Sequence, residues 1–125
     1  MAYRFTAIDF EADAGAVRVA FLGADHYFWM QPDEEDYAHP RPSADAQNVW
    51  VEIHDQGWGG RGGVARVRLT RDSFCVWRTL PLCEHAGGHE LIEVRFAVSA
   101  AEFEQIAAVL RAVMRGNERL LEIVA

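Results

Sequence analysis

Hydrophobic residues recur at every second position through the middle of the chain. Between Val49 and Thr79, the residues Val49, Val51 and Ile53 fall on one side of the main chain, and Trp50, Glu52 and His54 on the other. The alternation returns in Val67 and Leu69 against Arg66 and Arg68, then in Phe74 and Val76 against Cys75 and Trp77. A period of two marks strands with one buried face. These segments predict a three-stranded antiparallel meander, with Arg71-Asp72-Ser73 as a tight turn between the last two strands. The stretch from Asp55 to Gly63 joins the first two strands. Five glycines fall between 57 and 63, which predicts a wide connecting loop, because glycine weakens a strand interior.

The flanking segments extend this plan. Arg4–Phe10 reads as a first strand, although Phe5 and Ile8 fall on opposite faces. Ala16–Leu22 is a cleaner strand, with Val17, Val19 and Phe21 on one side. Together they predict a hairpin whose turn uses Gly15 for a positive φ. His26–Gln31 is a short strand dense in aromatics. Pro32–Gln47 contains three prolines and the acidic run Asp33, Glu34, Glu35, Asp36, and reads as a long loop. Leu80–His89 is a second loop, and Glu90–Val98 a strong strand with Ile92, Val94, Phe96 and Val98 on one face.

The C-terminal part carries the clearest helix signal. Ser99-Ala-Ala-Glu102 is a capping box. Phe103, Ile106, Ala107, Leu110, Val113 and Met114 follow at helical spacing, with acids early and arginines late as the macrodipole favours. Gly116-Asn117 ends the helix, and Leu120–Val124 reads as a short last strand or a packed tail. The expectation is an α+β fold in one domain spanning 1–125. It has a mainly antiparallel sheet of about six or seven strands, with one C-terminal amphipathic helix packed on one face.

Composition narrows the function. A chain of 125 residues, half of them hydrophobic, can bury a core without a metal or a disulfide. No apolar run reaches the length of a membrane span. The N-terminal residues lack a signal-peptide core, so a cytoplasmic protein is expected. The net charge is −7, and residues 1–55 carry −8 while residues 56–125 carry +1. Every formal side-chain cation is arginine. An acidic face argues against nucleic acid as partner and favours a basic protein, which electrostatic steering would bring in faster.

Candidate chemistry is sparse. Gly57-Trp-Gly-Gly-Arg-Gly62 has the spacing of a dinucleotide fingerprint, but that motif needs a helix to start in the loop, and Val64–Leu69 reads as a strand. Trp58 and Arg61 are residue types that anchor interfaces. Cys83, His85 and His89, with Glu84 beside them, are a metal-ligand set for an alternative reading as a small metal-dependent enzyme. A closed zinc site wants four ligands, and Gly87-Gly88 disfavours the helix that would align the histidines. Ser43, Ser73 and Ser99 show no nucleophile-elbow context. Cys75 lies in a strand pattern, where a thiol acts as a small hydrophobe. Trp50, Trp77, Tyr27, Phe28 and Trp29 could make an exposed aromatic platform, although a core role is expected for most of them. Trp50 is the exception. If Val49, Val51 and Ile53 face inward, Trp50 lies outward with Glu52 and His54, and an exposed tryptophan on a sheet face suggests an interface.

One family resemblance runs through residues 49–114. It is carried by Val51-Glu-Ile-His-Asp-Gln-Gly with its glycine-rich continuation, by Val67-Arg-Leu-Thr-Arg-Asp-Ser, by Ile92-Glu-Val-Arg-Phe, and by a helix opening Ser99-x-x-Glu-Phe. The pattern resembles the bacterial immunity protein family numbered ten of the polymorphic-toxin systems. The resemblance implies a small cytoplasmic protein, without catalysis or cofactor, that binds and neutralises a cognate toxin. The long proline-rich loop and Leu80–His89 depart from that pattern. The expected partner surface comprises Trp50, Glu52, His54, Asp55, Trp58, Arg61 and the run Asp33, Glu34, Glu35, Asp36. Self-association into a homodimer through an exposed strand edge is a further alternative.

Overall fold

The computed structural model describes residues 2–32, 49–53, 55–79 and 90–125, with the main chain alone at 55–58. Ten strands form two five-stranded sheets. Sheet I has the order β1 (Ala2–Thr6), β9 (Leu91–Arg95), β8 (Ser73–Arg78), β7 (Val64–Leu69), β10 (Leu121–Ile123). Sheet II has the order β2 (Asp9–Asp13), β3 (Arg18–Leu22), β4 (Tyr27–Pro32), β5 (Val49–Ile53), β6 (Asp55–Arg61). Six of the eight strand pairings are antiparallel; β1 with β9 and β10 with β7 are parallel. The α+β class, the mainly antiparallel pairing and the helix α1 (Ala100–Val113) are as the sequence predicts. The strands, however, divide between two layers.

Each layer buries one face. Val19, Phe21, Phe28, Met30, Val49, Val51 and Ile53 of sheet II meet Val67, Leu69, Phe74, Val76, Ile92 and Val94 of sheet I in one core. Phe74 of β8 is fully buried and lies 5.1 Å, ring centre to ring centre, from both Phe21 and Phe28 of the opposite sheet. Phe96 stacks on Phe21 at the same separation. Burying each such ring stabilises the fold by about 1.5–3 kcal/mol. The helix adds Phe103, Ile106, Ala107, Val109, Leu110 and Val113 to this core, packing on β2, β3 and β4. The reverse face of β2 and β3 is exposed at Asp9, Glu11, Asp13 and Leu22, so the helix covers the inner face only. Its N-terminus is closed by the predicted box: Glu102 N donates to Ser99 Oγ at 3.1 Å, and Ser99 N to Glu102 Oε1 at 2.8 Å.

Three expectations are corrected. Arg4–Phe10 is not one strand. The chain changes layers at Ala7–Ile8, where Ala7 N donates to Arg95 O of sheet I and Ile8 N to Leu22 O of sheet II. That switch explains why Phe5 and Ile8 share no face. The hairpin is therefore β2–β3, and its left-handed position is Val17, φ 52°, rather than Gly15. Finally, the glycine-rich stretch is not a loop within a meander. It forms β6, paired antiparallel to β5. The chain then crosses to sheet I at Gly62 and Gly63, whose φ values of 69° and 70° lie where only glycine is unstrained. The meander is thus two hairpins, β5–β6 and β7–β8, in different layers.

Candidate functional site

The outer face of sheet II collects the aromatic and acidic residues of the N-terminal half. Strand alternation turns Trp50 and Glu52 away from the core side of β5. The register then sets Trp29 of β4 beside Glu52, Gln31 beside Trp50, and Gly59 and Arg61 of β6 beside Glu52 and Trp50. Three neutral donors converge on one carboxylate. Tyr27 Oη donates to Glu52 Oε2 at 2.8 Å, Trp29 Nε1 to the same oxygen at 3.1 Å, and Trp50 Nε1 to Oε1 at 3.3 Å. The two indoles lie nearly parallel, 27° apart, with ring centres separated by 6.5 Å. Arg18 places its guanidinium 5.2 Å over the Trp29 ring and donates to Gln31 at 3.2 Å.

Glu52 is only 7 % exposed, although it lies on the outer face. The indoles and the phenol cover it. Gly59 makes this packing feasible: a Cβ there would stand 2.9 Å from Trp50 Cζ2, 3.1 Å from Glu52 Cγ and 3.2 Å from Glu52 Oε1. The Trp50 indole and the Glu52 carboxyl thus lean over β6, across the position that lacks a side chain. The rim toward β2 is acidic, with Asp9, Glu11 and Asp13 exposed.

The outer face of sheet I is built differently. There each glutamate has two arginine partners. Glu93 meets Arg4 at 3.2 Å and Arg95 at 3.8 Å; Glu122 meets Arg66, and Arg68 at 3.7 Å. Arg66 also covers the Trp77 ring at 5.1 Å. Cys75 sits beside Glu93, with Sγ 3.8 Å from Oε2. Burial, and next the neighbouring carboxylate, push the Cys75 thiol up from its ordinary range, which keeps it protonated and unreactive near neutral pH. No nucleophile is formed here.

Of the predicted site residues, Trp50, Glu52 and Arg61 are brought together on one face. Asp55 lies on the same strand as Arg61, at the far end of β6. The side chains of Asp55 and Trp58 lie outside the described residues, as do His54 and the run Asp33, Glu34, Glu35, Asp36. The metal set Cys83, His85 and His89 also lies outside them. Among the described residues no group of three His, Cys, Asp or Glu side chains could hold a metal ion, and no helix is long and apolar enough to cross a membrane. The fingerprint-like glycines open no helix; they belong to β6 and to the crossing into β7.

The expected partner surface omits Tyr27 and Trp29, because a core role is favoured for most of the aromatics. Phe28, Met30 and Pro32 of that strand are buried, while Tyr27, Trp29 and Gln31 are half-buried. The alternation Tyr27, Trp29, Gln31 against Phe28, Met30 was the available signal.

The chain matches no protein-family model, no curated protein and no solved structure.

Proposed function

We propose that this chain is a non-enzymatic binding protein that neutralises a cognate bacterial toxin in the cytoplasm, as the resemblance to the tenth immunity protein family implies. The observation that carries the proposal is the outer face of sheet II. It presents two half-buried tryptophans and a tyrosine, fixed by hydrogen bonds to one carboxylate and bordered by acids. Tryptophan and tyrosine give large contact area at low entropic cost and dominate binding hot spots. A two-layer scaffold holds them rigidly, so little ordering remains to oppose association. An acidic rim suits a basic toxin. Nothing in this reading requires a cofactor, a nucleic acid or a membrane.

The experiment is co-expression with the toxin encoded beside this gene. The chain should rescue growth, and Trp50→Ala should lose the rescue while the purified variant stays folded. Persistent killing in the presence of folded native protein would refute the proposal.

A second reading rests on a separate observation. β6 ends sheet II among the described strands, and it is a glycine-rich edge without proline or lysine, the kind of edge to which another strand can add. A homodimer through β6 would appear as a doubled mass in sedimentation.

A further inference from the structure

The crossing between the layers leaves an open recess. Ala7 N donates to Arg95 O and Ile8 N to Leu22 O, both at 2.8 Å, so the chain changes partner sheet between two consecutive residues. Residues 96–98, just past β9, run on to the helix cap at Ser99. Between these segments lies a cavity of about 120 Å³. Its walls are apolar at Ile8, Phe10, Phe96 and Val98, and the acids Asp9 and Glu102 line it with them. Among the described residues no arginine does so. Phe96 is buried, and Phe10 and Val98 pack on the core, so that wall is fixed. Ile8 is 78 % exposed, more than any other large hydrophobic among the described residues, and the recess opens to solvent on its side. A lone exposed isoleucine is ordinary. On the lip of an apolar recess it marks a place where a partner's carbon atoms can leave water. Each carboxylate uses one oxygen locally: Asp9 Oδ1 accepts from Phe10 N and Glu102 Oε1 from Ser99 N, both at 2.8 Å. Each keeps its other oxygen for a further donor.

We propose that this recess receives one lysine side chain of the bound partner. The methylene stem lies on Ile8, Phe10 and Val98, and the ammonium donates to the remaining oxygens of Asp9 and Glu102. At about 30 Å³ for each water-sized group, a cavity of about 120 Å³ takes roughly four such groups, which matches the four methylenes of a lysine stem. Arginine fits less well. Its planar fork is suited to both oxygens of one carboxylate, and here each carboxylate has one oxygen taken by a backbone N–H. An ammonium is a point donor that can serve two separate acceptors. A second copy of this chain cannot supply the side chain, because the chain has no lysine. The surrounding charge agrees: Glu11 and Asp13 continue the exposed acidic row from Asp9 along β2, which draws in a cation. The proposal rests on the reading of this chain as the binder of a basic protein. It adds a second contact to that reading, on the strand at the opposite end of sheet II from β6.

The test uses no toxin. The native chain, labelled with nitrogen-15, is titrated with Nα-acetyl-lysine amide, and the backbone N–H resonances of Ile8, Phe10 and Val98 are followed beside the indole N–H of Trp77 on the outer face of sheet I. Two controls divide the probe: Nα-acetyl-norleucine amide keeps the stem without the ammonium, and methylammonium keeps the cation without the stem. The proposal expects saturable shifts at Ile8, Phe10 and Val98 with the lysine probe, binding at least about fivefold weaker with either control, and no change at Trp77. Ile8→Ser and Asp9→Asn alter exposed positions, and the asparagine oxygen can still accept from Phe10 N, so both variants should fold as the native chain does. Each should weaken the lysine probe about threefold or more. Equal binding of lysine and norleucine, a Trp77 shift as large as that of Ile8, affinity unchanged in both variants, or no saturable response would overturn the lysine socket. Those results would leave toxin binding itself standing. Conversely, a chain that binds the lysine probe but no toxin would keep the socket and remove the functional reading.

Discussion

Gly59→Ala is the smallest change that probes the packing of the outer face. In most strands this substitution stabilises by about 0.5–1 kcal/mol, because alanine loses less backbone freedom on folding. Gly59 does not have a left-handed φ, so alanine meets no backbone strain here. Its methyl group would, however, stand 2.9 Å from Trp50 Cζ2 and 3.1 Å from Glu52 Cγ. Carbon atoms pack at about 3.5–4.0 Å, so the indole must retreat by more than half an ångström and the carboxyl stem by a few tenths. Overpacking of this kind costs about 1–3 kcal/mol. The balance is a net destabilisation of about 0.5–2 kcal/mol, opposite in sign to the usual effect. Urea denaturation followed by circular dichroism would read this as a lower midpoint with an unchanged slope. The indole N–H resonances of Trp50 and Trp29 should shift, because their common acceptor has moved. A neutral or stabilised Gly59→Ala with unmoved indole resonances would show that Trp50 does not lie across β6, and the arrangement around Glu52 would have to be abandoned.

Two further predictions concern the layers. Phe74→Leu removes two ring contacts between the sheets, each contributing about 0.5–1.5 kcal/mol beyond area burial, so it should cost roughly 1–3 kcal/mol. Loss of stability below about 0.5 kcal/mol in urea denaturation would contradict the face-to-face packing. The raised thiol pKa of Cys75 favours the protonated, folded state. Its contribution is complete below the ordinary thiol pKa and is lost as pH rises through the folded value. Native stability should therefore fall on the alkaline side more steeply than that of Cys75→Ala. Parallel curves of stability against pH for the two proteins would refute the burial of that thiol.

Local signals in the sequence were read well, and non-local ones were not. The helix followed from residues within one another's reach: the Ser99–Glu102 box and a stripe from Phe103 to Met114. Alternation likewise told which side of β5, β7, β8 and β9 is buried. It did not tell what each buried side faces, because Val51 and Val76 look alike whether they pack on one helix or across two sheets. The switch at Ala7–Ile8 and the parallel pairing of β1 with β9 are long-range choices of this kind. β6 was lost to its glycines. Their low strand propensity is overridden by pairing with β5, and at Gly59 the absence of a side chain is what the packing requires. In the site, the outward placement of Trp50 and Glu52 was legible from period two. The convergence of Tyr27 and Trp29 on Glu52 was not, since it depends on the register that sets Trp29 opposite Glu52.

Toxin binding, as proposed, falls on the outer face of sheet II. Titration calorimetry of the neighbouring toxin domain tests it most directly, using native protein, Trp50→Ala, and Arg4→Ala on the exposed outer face of sheet I. The account predicts about nanomolar binding by the native chain, a loss of about thirtyfold or more for Trp50→Ala, and no change for Arg4→Ala. Absence of binding by the native chain, or a loss confined to Arg4→Ala, would contradict it.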